Sequence, residues 1–245
     1  GHRDFPPGPT LARPLFSYPP KPPQTPPMGL TTFPLHSLLA QHTPQAQPSA
    51  RAKHNRAPQT AASHSLQPAG AVRIIGGQWK RRKLPIATIS STACLRPTPD
   101  RVRETLFNWL GQNLTGWHCM DVCAGTGALG FEAASRGAAS VLLFEKHPTL
   151  AAQLHANKTL LQASAIHIQT GDGLAAMQQL AQRQPHSINA IFLDPPFNAN
   201  WYNHALQAAD LLLPPQASCY LAAPHEWAQD DLAAAGWRRL RHLKP

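Results

Sequence analysis

The sequence predicts an α/β fold: an open, mostly parallel sheet with helices on both faces. Three observations carry this. From residue 117 onward, short apolar runs alternate with helix-length stretches, which is the pattern of strand–helix–strand units. The apolar runs are nearly continuous, as in strands buried on both faces. The first run opens into a glycine-rich turn, Gly125-x-Gly127-x-x-Gly130, that leads straight into a helix signal. In order, the strands are expected at 118–122, 140–145, 165–169, 188–194 and 217–222. The helices are expected near 127–136, 148–162, 173–183, 201–213 and 226–235. Right-handed crossovers then put a ligand outside the C-terminal ends of the strands.

Upstream of the sheet, two further elements are expected from about Val72. VRII, Gly76-Gly77 and QWKRRKL read as a β-hairpin whose second strand carries Lys80, Arg81, Arg82 and Lys83. LRPTPDRVRETLFNWLG follows. Thr98 is a good N-cap, Pro99 suits the first helical position, and Val102, Leu106, Trp109 and Leu110 share a face, so a helix is expected over about 99–113. At the other end, a possible strand at 237–243 lies just before Pro245. A sheet of this type usually closes with one more strand, so the final strand is expected to be missing.

Charge and proline divide the 245 residues into three parts. The whole chain carries 22 Lys+Arg against 12 Asp+Glu, a formal charge of +10, and 26 prolines. Residues 1–70 hold 15 of the prolines and a net charge of +5. With so few apolar residues to offset ordering entropy, they read as a disordered arm, with PPKPPQTPP favouring polyproline II. Residues 71–108 carry net +6 and residues 109–245 net −1. The domain proper is therefore 71–245, with 71–113 a basic hairpin and helix facing a polyanion and 117–245 the α/β core. No run of 18 apolar residues occurs, which excludes a membrane-spanning helix. Cys94, Cys119, Cys123 and Cys219 show no paired C-x-x-C spacing, and the histidines form no ligand cluster. Reduced thiols, a cytoplasmic location, no metal and a monomer are the simplest expectations.

Four constellations carry chemistry. In Met120–Gly137 the glycines let backbone approach a ligand closely. Glu145, at the end of the next strand, is placed to accept both hydroxyls of a ribose. NAD and S-adenosylmethionine (AdoMet) both carry such a ribose. Asp121, four residues before Gly125, tilts the choice, because it would repel a pyrophosphate but favour the ammonium and sulfonium of AdoMet. Read alone, the motif is a tight turn with an Asp cap. In FLDPPF, Asp194 ends a buried strand and Pro195, Pro196 and Phe197 follow. Prolines stiffen the loop and leave carbonyls free. Asp194 and the Pro195 carbonyl can then accept two amino hydrogens of a planar base, on which Phe197 stacks. Read alone, this is a strand end with a Pro-Pro turn. The third is the basic segment, where Lys80, Arg81, Arg82, Lys83, Arg96, Arg101 and Arg103 suit phosphate contacts and Trp79 stacks or packs. Read alone, it is a solvated charged hairpin. The fourth is Asp172, either an acceptor for the adenine amino group or an ordinary helix N-cap.

Together, RIIGGQWKRRKLPI, LRPTPDRVRETLFNWL, DVCAGTGALGFEAASRGA and FLDPPF, in this order, resemble the bacterial 16S ribosomal RNA guanine-N2 methyltransferases of the RsmD family. The similarity covers about 72–245. It implies a class I AdoMet-dependent methyltransferase fold, Rossmann-like, with an N-terminal β-hairpin extension. It implies methylation of the exocyclic N2 of one guanine in small-subunit RNA, with 16S rRNA or the assembling subunit as partner and AdoMet as donor. On these positions, Asp121, Ala124, Gly125, Thr126 and Gly127 line the AdoMet site, Glu145 holds the ribose and Asp172 the adenine. Asp194, Pro195, Pro196 and Phe197 form the base-binding loop. The LRPTPDRVRE block covers the methionine end of AdoMet and meets RNA. Three other readings stay open: a DNA amino methyltransferase acting on adenine N6 or cytosine N4, an NAD-dependent oxidoreductase, and a non-catalytic RNA-binding protein.

Overall fold

The computed structural model describes residues 10–14, 70–87, 97–195, 199–215, 217–222, 228–234 and 236–242. In chain order the elements are β1 (Thr10–Pro14), β2 (Gly70–Arg73), β3 (Lys83–Ile86), α1 (Asp100–Trp109), β4 (His118–Asp121), α2 (Ala128–Ser135), β5 (Ser140–Glu145) and α3 (Pro148–Leu161). They continue with β6 (Ile166–Thr170), α4 (Gly173–Arg183), β7 (Ala190–Leu193), α5 (Ala199–Leu212), β8 (Ser218–Leu221), α6 (Gln229–Ala234) and β9 (Trp237–His242). The expected α/β core is present, with element ends displaced by up to three residues.

The main sheet has the order β6-β5-β4-β7-β8-β1-β9. Strands β4 to β8 pair in parallel, whereas β1 is antiparallel to both β8 and β9. Alternate side chains point to opposite faces of a strand, and the two cores follow that rule. Val141, Leu143 and Phe192 join one apolar cluster with Phe107, Phe131 and Leu154, so the hairpin, α1, α2 and α3 cover that face. Met120, Leu142, Phe144, Ile191 and Leu193 join the other with Met177, Tyr202, Leu206 and Leu232, so α4, α5 and α6 cover the second face. The chain winds from β4 outward to β6, then returns to β7 on the other side of β4. The crevice of the fold therefore lies between the C-terminal ends of β4 and β7.

One expectation needs correction here. The arm is not wholly without regular structure, because Thr10–Pro14 forms β1, pairing Thr10 with Leu221 on one side and with His242 on the other. The possible strand at 237–243 is formed as β9, and β1 occupies the antiparallel position between it and β8. The reason is that a strand position between two others offers unpaired backbone N–H and C=O groups. Filling it needs an extended backbone more than an apolar sequence. Pro14, which has no N–H, stands at the strand's end, where it does least harm.

The hairpin is shorter than expected. Lys80, Arg81 and Arg82 belong to the connection 74–82, and only Lys83 lies in the second strand. The connection closes through Ile74 N–H to Arg82 O at 2.9 Å and Arg81 N–H to Ile74 O at 2.8 Å, with Arg81 at φ 71°. It also docks on the end of α2, where Gln78 N–H donates to Ser135 O at 2.7 Å and Trp79 N–H to Ser135 Oγ at 3.0 Å. Gly77 allows that approach. It sits at φ 75°, and a Cβ there would lie 1.8 Å from Ser135 O.

Candidate active site

Asp121 ends β4, and its neighbour in register on β7 is Phe192, so Asp194 emerges beside it two residues further along. Asp121 is buried, and its Oδ2 accepts from Gly130 N–H at 3.0 Å in the first turn of α2. A helix N-terminus favours a negative charge, and the contact turns the carboxylate toward the glycine turn. In that turn Ala124 N–H donates to Phe144 O at 2.8 Å and Gly127 N–H to Ala124 O at 2.7 Å. Ala124 and Thr126 are buried. Gly127, at φ 78°, has no room for a side chain: a Cβ would lie 2.6 Å from Leu154 and 2.7 Å from Phe131.

Glu145 leaves β5 half-buried. Its Oε2 accepts from Gly125 N–H and its Oε1 from His147 N–H, both at 2.8 Å. The carboxylate is thus fixed by backbone on two sides, and each oxygen keeps a further lone pair. Asp172 caps α4: its Oδ1 accepts from Leu174 N–H at 2.9 Å and Ala175 N–H at 3.2 Å, while Oδ2 pairs with Lys146 at 2.9 Å.

Three acidic side chains, Asp121, Glu145 and Asp194, meet at the crevice. Burial, then the neighbouring Asp194, pushes the Asp121 carboxyl up to about 7. The Gly130 N–H opposes that rise, and Glu145 adds to it. The Cys123 thiol is pushed up to about 12, by burial first and then by Asp121, Glu145 and Asp194. A negative crevice suits a cationic ligand and opposes a pyrophosphate. The Nδ1 of His147, buried beside Glu145 without a hydrogen-bond partner, is a further polar atom available to a ligand. The residues present therefore fit AdoMet.

The base-binding loop is described only in part. Asp194 is half-buried and Pro195 buried, whereas Pro196 and Phe197 lie outside the described residues. Thr98 does not cap α1. Pro99 takes the N-cap position without a side-chain hydrogen bond, and Thr98 Oγ1 donates instead to Asp194 Oδ2 at 3.0 Å. Burial raises the Asp194 carboxyl, and the Thr98 hydroxyl pulls it back down.

The basic segment divides. Lys80, Arg81, Arg82, Lys83 and Arg101 are exposed, and Arg96 lies outside the described residues. Trp79 is half-buried and packs against the core. Arg103 cannot meet RNA, because it is 1% exposed, ion-paired to two carboxylates and hydrogen-bonded to a backbone carbonyl. Its Nε donates to Thr98 O at 3.1 Å, NH1 meets Glu132 Oε2 at 3.3 Å, and NH2 meets Asp100 Oδ1. Asp100 Oδ2 in turn holds Arg73 of the hairpin at 2.9 Å. Glu132 is fully buried in α2 and also accepts from Arg136 Nε, Ile75 N–H and Gly76 N–H at 2.9, 2.9 and 2.8 Å. Arg136 lies 4.9 Å over the Phe107 ring, and Phe107 packs on Phe192 at 5.9 Å. The sequence reading missed Glu132 and Arg136. The available signal was an acid in the otherwise apolar ALGFEAAS, with an arginine four residues on.

Known proteins match this arrangement. The family model described as conserved hypothetical protein 95 matches residues 72–242. Ribosomal RNA small subunit methyltransferase D of Haemophilus influenzae (strain ATCC 51907 / DSM 11121 / KW20 / Rd) is 42% identical over 173 residues, 64% of this chain and 86% of that protein. The chain belongs to the ribosomal RNA small subunit methyltransferase D family. The methyltransferase D of Escherichia coli (strain K12) is 47% identical over 129 residues, which is 52% of this chain and 61% of that relative's length. The chain thus spans about three-fifths of that methyltransferase D. A solved structure described as a putative methyltransferase yhhF from Escherichia coli superposes with a TM-score of 0.50. It is 36% identical and covers 59% of this chain and 74% of its own. The fold is that of class I AdoMet-dependent methyltransferases, with the β2–β3 hairpin ahead of it. Among the described residues no helix is long and apolar enough to cross a membrane, and Cys119, Cys123 and Cys219 are free thiols.

The raised Asp121 gives a pH prediction. Folded, it holds a proton between its ordinary 3.8 and about 7 that the unfolded chain has released. Its contribution to stability is therefore complete below about 3.8 and is lost as pH rises through about 7. A bound cation favours the ionised form, so AdoMet binding should expel that proton. Calorimetry at pH 6 in two buffers of different ionisation heat should read a net release that Asp121→Asn abolishes. Equal heats in both buffers would contradict this placement of the cation.

Proposed function

We propose that this chain transfers a methyl group from AdoMet to the exocyclic N2 of one guanine in 16S rRNA of the small ribosomal subunit. The observation that carries the reading is the position of Asp194. It stands at the switch point of the sheet, beside Asp121, with one oxygen held by Thr98 at 3.0 Å. AdoMet, when bound, supplies an already activated methyl group. The guanine amino group is a poor nucleophile because its lone pair is delocalised into the ring. Asp194 accepts one amino hydrogen and the Pro195 carbonyl the other, which favours a pyramidal nitrogen with its lone pair directed at the methyl. In-line placement then accounts for much of the rate. The carboxyl of Asp194, raised by burial, is suited to take up the proton that the nitrogen releases.

The target base must leave its stack to reach this crevice, and Phe197 is the residue proposed to stack on it. Lys80, Arg81, Arg82, Lys83 and Arg101, exposed on the hairpin connection, β3 and α1, are proposed to hold the phosphate backbone. Residues 71–113 thus form the RNA-facing part of a methyltransferase domain 71–245. The test is to incubate the protein and labelled AdoMet with partially assembled small subunits, then digest the RNA and identify the methylated nucleoside by mass. N2-methylguanosine is expected. Methylated adenine or cytosine in DNA, or binding of NAD without AdoMet, would overturn the reading.

A further inference from the structure

A continuous run of buried and half-buried polar contacts leads from the basic hairpin to the reacting edge of the sheet. The hairpin backbone at Ile75 and Gly76 donates to Glu132, Glu132 holds Arg103, and Arg103 Nε grips Thr98 O. The Thr98 hydroxyl then reaches Asp194 Oδ2 at 3.0 Å. Residue 98 precedes α1, where its hydroxyl was expected to cap the helix. The cap is forgone and the hydroxyl goes to a carboxylate across the crevice. We propose that Thr98 is a positioning residue for methyl transfer: held from behind by Arg103, it fixes the rotamer of Asp194 so that the other oxygen faces the incoming amino group. This deepens the guanine-N2 reading and rests on it.

The surroundings of Asp194 give the hydroxyl a second task. Asp121 and Cys123 face it from β4 and the following turn, Tyr202 from α5 and Tyr220 from β8. None of these is a cation. Thr98 is the hydrogen-bond donor that works against the burial of Asp194 and favours its ionised form. Losing the hydroxyl therefore raises the Asp194 carboxyl, and the acid limb of the rate moves to higher pH.

The experiment uses the full chain with Thr98→Val, which keeps the shape and removes the hydroxyl, and Thr98→Ser, which keeps the hydroxyl. Methyl transfer to small subunits is followed against pH, with AdoMet affinity by calorimetry and melting temperature alongside. Thr98→Val is expected to lower kcat roughly tenfold and move its acid limb upward, with AdoMet affinity and melting close to wild type. Thr98→Ser should restore most of the rate and the original limb. The proposal is overturned if Thr98→Val matches wild type in both rate and limb. It is equally overturned if the loss comes through AdoMet affinity or melting with the limb unmoved. Failure of the underlying reading looks different: wild type itself then makes no N2-methylguanosine.

Discussion

Asp194→Ala should abolish methyl transfer while leaving AdoMet binding within a few-fold of wild type. Asp194 lies across the crevice from the glycine turn and Glu145, the features that fit the cofactor, so removing it leaves their contacts intact. What is lost is the acceptor for the amino hydrogen and for the departing proton, a role that contributes roughly 10²–10⁴-fold in enzymes. Removing a carboxylate should also ease the ionisation of Asp121, since Asp194 is among the groups that raise it. AdoMet affinity near neutral pH should therefore not fall through that route. Single-turnover transfer and calorimetry on one preparation decide the matter, and normal turnover would sink the assignment.

Glu132→Gln should be the most destabilising conservative change in the domain. The carboxylate receives four donors, from Ile75, Gly76, Arg103 and Arg136, and is fully buried. An amide turns one accepting oxygen into a donor that faces other donors. It also takes the counter-charge from the buried Arg136 and leaves Arg103 with Asp100 alone. Breaking a buried pair in this way costs about 3–5 kcal/mol, equivalent to a fall of about 10 °C in Tm for a chain of this size. Because the hairpin backbone is among the donors, amide exchange at Ile75 and Gly76 should rise first. Melting and exchange within error of wild type would show that the network contributes nothing to docking the hairpin.

These contacts show where sequence reading works and where it stops. β4 to β8 were legible because strands buried on two faces must be apolar throughout, and Val141–Phe144 and Ile191–Leu193 are. The glycine turn, Glu145 and Asp194 were legible because their chemistry sits at fixed offsets from strand ends. Arg103 was not, since a charge on a helix reads as solvated. Yet it stands at i, i+3, i+4 and i+7 with Leu106, Phe107 and Leu110, the stripe that is in fact buried. The expected stripe, anchored on Val102 and Trp109, lies about one residue round the helix; both are only half-buried. Thr98 was misassigned because a local rule, capping, lost to a partner nearly a hundred residues away. β1 has no local signature at all. Its strand character comes from β8 and β9, and no window of TLARP contains them.

That last element sets the order in which the molecule can be completed. Thr10–Pro14 is synthesised well before its partners, Cys219 for Ala12 and Trp237 for Pro14 among them, which lie more than two hundred residues further along the chain. Parallel pairing from β6 to β8 can proceed while translation continues. The antiparallel closure comes later, so β1, synthesised long before, waits for β8 and β9. Contacts so distant along the chain slow folding more than they affect final stability, and an unpaired strand edge is where chains associate wrongly. The pairing of β1 therefore sets when the sheet is sealed.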